Sequence, residues 1–210
     1  MTTKPILSEK YINKIKKLYY DREFSAREIS EKLGVSMSVV YKFMIRHKLK
    51  RRNSHESNLV YFEKTPISYK IKKNLSGKEK ILKIAGIMIY WAEGAKSNYK
   101  KRSWMIDLAN SDPEMVKVFL KFLRIICGIN EKKIRAYIYA YSNQNIKKLL
   151  RYWNIITKIP LNQFNRPYIK NDFLQNKKDK MKYGLIHIRY NDKRLLLQIE
   201  DWIKKYYKGA

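Results

Sequence analysis

The chain has few of the residues that cross-link a fold or cage a metal. Its 210 residues include one cysteine, Cys127, and three histidines, His47, His55 and His187. A single thiol excludes an internal disulfide framework. A structural zinc site takes four clustered Cys or His ligands, and the sequence offers no such cluster. Long apolar runs are missing too. The longest, Ile84–Ala92, is less than half of the ~20 residues that a bilayer span requires. The opening "MTTKPILSEKYINK" has no apolar region of signal-peptide length. Neither a Gly-rich phosphate loop nor a Ser–His–Asp order occurs, so neither a nucleotide cofactor nor a triad hydrolase is expected.

Negative charge is the scarcest commodity. Only 18 Asp and Glu stand against 47 Lys and Arg, giving a formal net charge of +29. That excess goes far beyond what solubility requires and points to a polyanionic partner, nucleic acid before a membrane surface. A generically cationic surface is the alternative, and charge alone leaves RNA open beside double-stranded DNA. With 45% hydrophobic residues the chain can build a core, so wholesale disorder is not expected. A cytoplasmic, nucleoid-associated location follows from these readings.

The first third of the chain carries a pattern of short helices. Ile12, Ile15, Leu18 and Tyr19 recur at helical spacing between Ser8 and Tyr20. "FSAREISEKLGVSMSVVYKFMIRHKL" follows, starting at Phe24. Ser25 and Glu28 form an S-x-x-E capping box for a second helix, and Gly34 stands where that helix must stop. Ser36 is placed to cap a third helix whose buried side is Val39, Val40, Phe43 and Met44. Two helices about a glycine turn, after a leading helix, make a helix-turn-helix pattern, with an ordinary three-helix bundle as the alternative. "LGVSMSVVYKF" resembles the helix-turn-helix of resolvase-type and regulator-type DNA-binding domains. The resemblance implies that the third helix enters the major groove, with Ser36, Met37, Ser38, Tyr41, Lys42 and Arg46 facing the DNA. Arg51 and Arg52, in the basic run after it, are placed along the phosphates or the minor groove, or else in a solvated linker.

From Ser76 onward helices and strands mix. A capping box, Ser76 with Glu79, opens the helix that contains "IAGIMIYWAEGAK". "SWMIDLAN" alternates as a strand. "SDPEMVKVFLKFLRIICG" starts a helix at a third S-x-x-E, Ser111 with Glu114, and ends it at Gly128. "IRAYIYAY" alternates cleanly, and a helix from about Gln144 to Thr157 follows. "NQFNRPYIK" and "YGLIHIRY" read as the last two strands, joined by a hairpin with "NKKDKMK" at its lysine-rich tip. A final helix carries Leu195, Leu196, Ile199, Trp202, Ile203 and Tyr206. Each long strand has one apolar face. The opposite face, with Arg135, Tyr137, Tyr139, His187 and Arg189, mixes aromatics and cations in a way that suits phosphates and base edges, though a solvated sheet face alternates similarly.

With these elements in view, residues 76–207 resemble the LAGLIDADG homing endonucleases and their relatives. The likeness rests on the small-residue helix ending "WAEG", on "NSDPEMVKVFLKFL" directly after a strand, and on the cationic sheet face. It implies a homodimer whose motif helices pair, bringing Glu93 of each copy to a shared magnesium site, with Lys96 beside the scissile phosphate. Magnesium chemistry fits carboxylates, because hard cations take oxygen ligands and activate water for phosphodiester hydrolysis. Tyr90 and Trp91 are bulkier than the family motif carries before its acid. A relative that kept the scaffold and lost cleavage, a transcription regulator or mobile-element accessory, therefore stands as the alternative. Glu131, Lys132 and Lys133 with Asp107 or Asp112 upstream hint at another nuclease type, and Asp107 is a secondary metal candidate. The expected architecture is α+β. A helix-turn-helix domain spans residues 1–52 and a basic linker residues 53–75. Residues 76–210 then form a LAGLIDADG-like α/β domain with a mainly antiparallel DNA-binding sheet.

Overall fold

A computed structural model describes residues 7–97, 104–171 and 181–209. It is a mixed α+β structure with eight α-helices and one four-stranded sheet among those residues. The chain divides into two compact units, Met1–Pro66 and Ile67–Ala210.

In the first unit a short α1 (Ile12–Lys16) sits between 3-10 and π turns, so that residues 9–21 form one continuous helical stretch. Next come α2 (Ala26–Leu33), α3 (Met37–Arg46) and α4 (Ser54–Lys64). The Ser25–Glu28 capping box forms as the sequence indicates: the Glu28 N–H donates to Ser25 Oγ at 3.2 Å and the Ser25 N–H to Glu28 Oε2 at 2.7 Å. Gly34 then ends α2 in the left-handed region, φ 65°, where a side chain would be strained. Ile15, Leu18, Ile29, Val40, Phe43 and Met44 close the core of this unit.

Residues 53–75, expected as a linker, are divided between the two units. Asn53 and Glu56 make a further capping box, which nucleates α4. This helix buries no residue of its own. It is held at its ends instead. The Lys64 ammonium donates to the carbonyls of Arg22 and Glu23 at 2.7 and 2.8 Å, and the Arg52 guanidinium reaches the Phe24 carbonyl. Residues 67–72 belong to the second unit. Lys70 and Lys72 donate backbone hydrogen bonds to Cys127, Gly128 and Ile126, and the buried Tyr190 hydroxyl donates to the Ser68 carbonyl at 2.6 Å.

The second unit runs α5 (Gly77–Glu93), β1 (Ile106–Asn110), α6 (Pro113–Lys121), β2 (Ile134–Tyr141), α7 (Ile146–Thr157), β3 (Tyr168–Lys170), β4 (Leu185–Tyr190) and α8 (Lys193–Lys208). The sheet order is β1-β4-β2-β3; β4 is antiparallel to both β1 and β2, while β3 pairs parallel with β2. The expected hairpin between the last two strands does not form, because β2 lies between them. Most of the lysine-rich segment 176–182, and Ser103 of the first strand pattern, fall outside the described residues. The cap of α6 is Asp112, not Ser111; its carboxylate accepts from the N–H groups of Glu114 and Met115 at 2.7 and 3.4 Å. A carboxylate next to Pro113 serves this helix start better than a hydroxyl one residue earlier, since it also answers the positive end of the helix dipole.

One core joins Ile106, Leu108, Ile134, Ala136, Ile138, Ile186, Ile188 and Tyr190 of the sheet to α5–α8, with Trp153 fully buried. Alternation along β2 and β4 therefore puts Arg135, Tyr137, Tyr139, His187 and Arg189 on the other face. No helix among the described residues is long and apolar enough to cross a membrane.

Candidate nucleic-acid interface

Helix α3 divides cleanly by side. Val40, Phe43 and Met44 are buried, whereas Met37, Ser38, Lys42, Ile45 and Arg46 are exposed, Met37 at 45% and Ile45 at 64%. Ser36 stands at the N-cap in extended backbone but makes no side-chain cap; its hydroxyl pairs with that of Ser38 at 2.9 Å. Tyr41 is half-buried and stacks under the Arg51 guanidinium, 4.2 Å from the ring centroid. Both line a cleft of about 910 Å³ beside α4. Arg52 is a structural tie more than a free cation. It lies 4.2 Å over Tyr19, its N–H donates to the Tyr19 hydroxyl at 2.8 Å, and its guanidinium holds the Phe24 carbonyl. Ile45 escaped the sequence reading, although the 3.6-residue period that buries Val40 and Met44 turns it outward.

On the sheet, register sets the polar face in three cross-strand rows. Asp107, Arg189 and Arg135 form the first, Ala109, His187 and Tyr137 the second, and Leu185, Tyr139 and Tyr168 the third. Asp107 is the acid of the set. Its carboxylate accepts from Arg189 Nε at 2.8 Å and meets His187 Nδ1 at 2.8 Å, and its side chain is 14% exposed. Burial pushes this carboxyl up, but the His187 hydrogen bond and charge together with Arg189 outweigh it and hold the group below the usual carboxylate range. Asp107 is thus a hydrogen-bonded strut, which fixes Arg189 and His187 on the sheet. Arg135 is exposed, and one of its amino groups donates to the Lys132 and Ile134 carbonyls. Glu131 is paired with Arg124 at 2.8 and 3.1 Å in a 3-10 turn, which accounts for its charge without a metal role.

The Asp107 arrangement has an acid signature. A folded-state pKa below the unfolded one gives stability that is present above the unfolded carboxylate range and lost as pH falls through the folded value. Asp107→Asn is expected to cost about 1–3 kcal/mol at neutral pH, because Arg189 and His187 lose a charged acceptor. Urea titrations between pH 7 and pH 3 check this: the gap between wild type and variant should shrink toward the acid end. A gap constant over that range would mean that the carboxylate contributes nothing through its charge.

Glu93 is the last residue of α5 and is exposed. Lys96 closes the same helix end: its ammonium donates to the carbonyls of Tyr90, Trp91 and Gly94 at 2.9, 2.7 and 3.1 Å. Those carbonyls cluster at the negative end of the helix dipole, so Lys96 has a structural task there. Partial burial draws this amine below the usual lysine range, against the pull of the Glu200 carboxylate. Gly86 lies one face-repeat before Glu93 and is buried against Phe122 of its own chain. The large apolar residues that α5 leaves exposed are Ile81, Ile84 and Trp91. Among the described residues no three His, Cys, Asp or Glu side chains come together. A site made of two carboxylates would take the second from a twin.

The chain matches no family model, no curated protein and no solved structure.

Proposed function

We propose that the chain is a site-specific duplex-DNA-binding protein whose first unit is a helix-turn-helix, with α3 as the helix that enters the major groove. One observation carries the reading: α3 presents Met37, Ser38, Lys42 and Arg46 on its free side while the opposite side is core, on a chain of net charge +29. Early residues of such a helix reach base edges, and later cations reach phosphates or guanine. Ile45 adds an apolar surface of the kind that meets thymine methyls. A homodimer would place two such helices about one DNA turn apart and read a two-fold symmetric site. The location is then with the DNA in the cytoplasm.

A second reading adds cleavage, with the second unit as a LAGLIDADG-like endonuclease domain. It draws on the exposed Glu93 carboxylate at the end of α5. In that reading two copies bring Glu93 together around magnesium. Without cleavage the protein acts as a transcription regulator or mobile-element accessory. Selection from a random duplex library separates these outcomes. Repeated enrichment of one motif is expected, and enrichment of none overturns site-specific binding. The selected duplex is then incubated with magnesium and with wild type or Glu93→Gln. Strand scission by wild type alone supports the nuclease; intact DNA with both leaves the regulator.

A further inference from the structure

The polar face of the sheet holds aromatic rings that a recognition helix and phosphate contacts leave unused. Tyr139 is their centre, with ring centroids of Tyr137 at 5.1 Å, Tyr168 at 5.0 Å and His187 at 4.8 Å. Tyr168, on β3, is 49% exposed. Arg189 lies over the Tyr137 ring at 5.0 Å, and Lys170 stands two residues beyond Tyr168 on the same strand. The acid nearby, Asp107, is already matched by His187 and Arg189, so the patch does not repel an anion.

The segment that leads into β3 borders a second feature at the sheet edge, on the side where α7 packs. A cleft of about 320 Å³ is lined by Lys147, Leu150, Arg151, Phe164, Arg166 and Pro167. Its three cations are exposed, and Pro167 is the chain neighbour of Tyr168. A cationic cleft thus adjoins an aromatic platform.

Closed duplex DNA makes poor use of such a surface. Both faces of each paired base are already stacked, and only edges and phosphates remain to be touched. An unpaired base offers its whole ring face, and its phosphates supply the charge that the cations seek. We infer that this sheet face binds unpaired nucleotides, bases stacking at Tyr168 and Tyr139 while the backbone runs past the cleft of Lys147, Arg151 and Arg166. The inference rests on the proposal that the chain binds nucleic acid, but it assigns a different unit and a different form of it.

The test measures affinities of the full chain for a fluorescent 12-mer of dT, a 12-mer of U and a duplex of equal length at one salt concentration. Tyr168→Ala is expected to weaken single-strand binding about 5- to 100-fold, with Tyr168→Phe close to wild type and duplex affinity unchanged. Tyr139→Ala is the second variant, read only where its circular dichroism matches wild type. The dT and U arms tell DNA from RNA as the source of the unpaired stretch. Single-strand affinity that survives Tyr168→Ala, or a loss that is equal on duplex and single strand, overturns the inference. Lys42→Ala with Arg46→Ala keeps the two proposals apart: a loss on duplex alone counts for the recognition helix and leaves the platform standing.

Discussion

Gly86→Val is expected to cost about 3 kcal/mol or more, at the upper end of what overpacking a core does. A Cβ at this position would lie 2.2 Å from Phe122 Cγ and 2.4 Å from Phe122 Cβ. The second of these atoms is fixed to the backbone and cannot swing aside. Phe122 is itself fully buried, with the rings of Phe119 and Trp202 at 6.0 and 6.2 Å. Relief must come from moving α5 away from the Phe122–Ile126 turn, which opens space along the whole contact. Against a typical total of about 5–15 kcal/mol the loss is large. Urea denaturation should show a much lower midpoint with an unchanged slope. Gly77→Ala, in the same helix, is the contrast: a Cβ there meets nothing within 4 Å, so the stability should stay level or rise slightly. Equal midpoints for Gly86→Val and wild type would mean that the close approach of α5 to Phe122 is not real.

This glycine also shows where sequence patterns reach their limit. The small residues Ala85 and Gly86 announce that something comes close to α5, and that much is legible in one chain. Whether the visitor is a twin helix or Phe122 is a question of tertiary partners, which local periodicity does not encode. The capping boxes at Ser25 and Ser76, the turn at Gly34 and the alternation of β2 and β4 were all readable, because each is set by neighbours a few residues away. The hairpin expected between the last two strands failed for the opposite reason. β3 has three residues, too few for alternation to reveal its partner, and its pairing with β2 is parallel. The capping box of Asn53 with Glu56 is not evident in the sequence because its helix carries no buried stripe. A helix held by Arg52 and Lys64 at its ends leaves almost no hydrophobic period to find.

The candidate site was legible to a similar depth. Alternation gave the polar sheet face with Arg135, Tyr137, Tyr139, His187 and Arg189 together. Tyr168 joins them only through strand order, and the strut at Asp107 only through the pairing of β1 with β4. Arg52 and Lys96 illustrate the converse. Both look like free cations in the sequence, and both are engaged with backbone carbonyls of their own unit. A cation count therefore overstates how many positive groups face a partner.

That distinction sets the second large effect, on duplex affinity. Lys42 and Arg46 are exposed on one side of α3, four residues apart, and the buried Val40, Phe43 and Met44 behind them do not change when both are cut to alanine. Each phosphate contact contributes about 0.9 to the slope of log affinity against log salt. If both cations neutralise phosphates, the double variant Lys42→Ala/Arg46→Ala should lower that slope by about 1.8 and weaken binding about 10- to 100-fold near 0.1 M salt. If Arg46 reads a guanine instead, the slope falls by about 0.9 and discrimination relaxes at one base pair of the selected site. Lys204→Ala/Lys208→Ala on α8 removes the same charge from exposed positions of the second unit. Fluorescence anisotropy across a salt series compares the two pairs on the selected duplex. Equal losses for both would reduce α3 to one more piece of a positive surface, since only a docked helix makes the position of two charges matter more than their number.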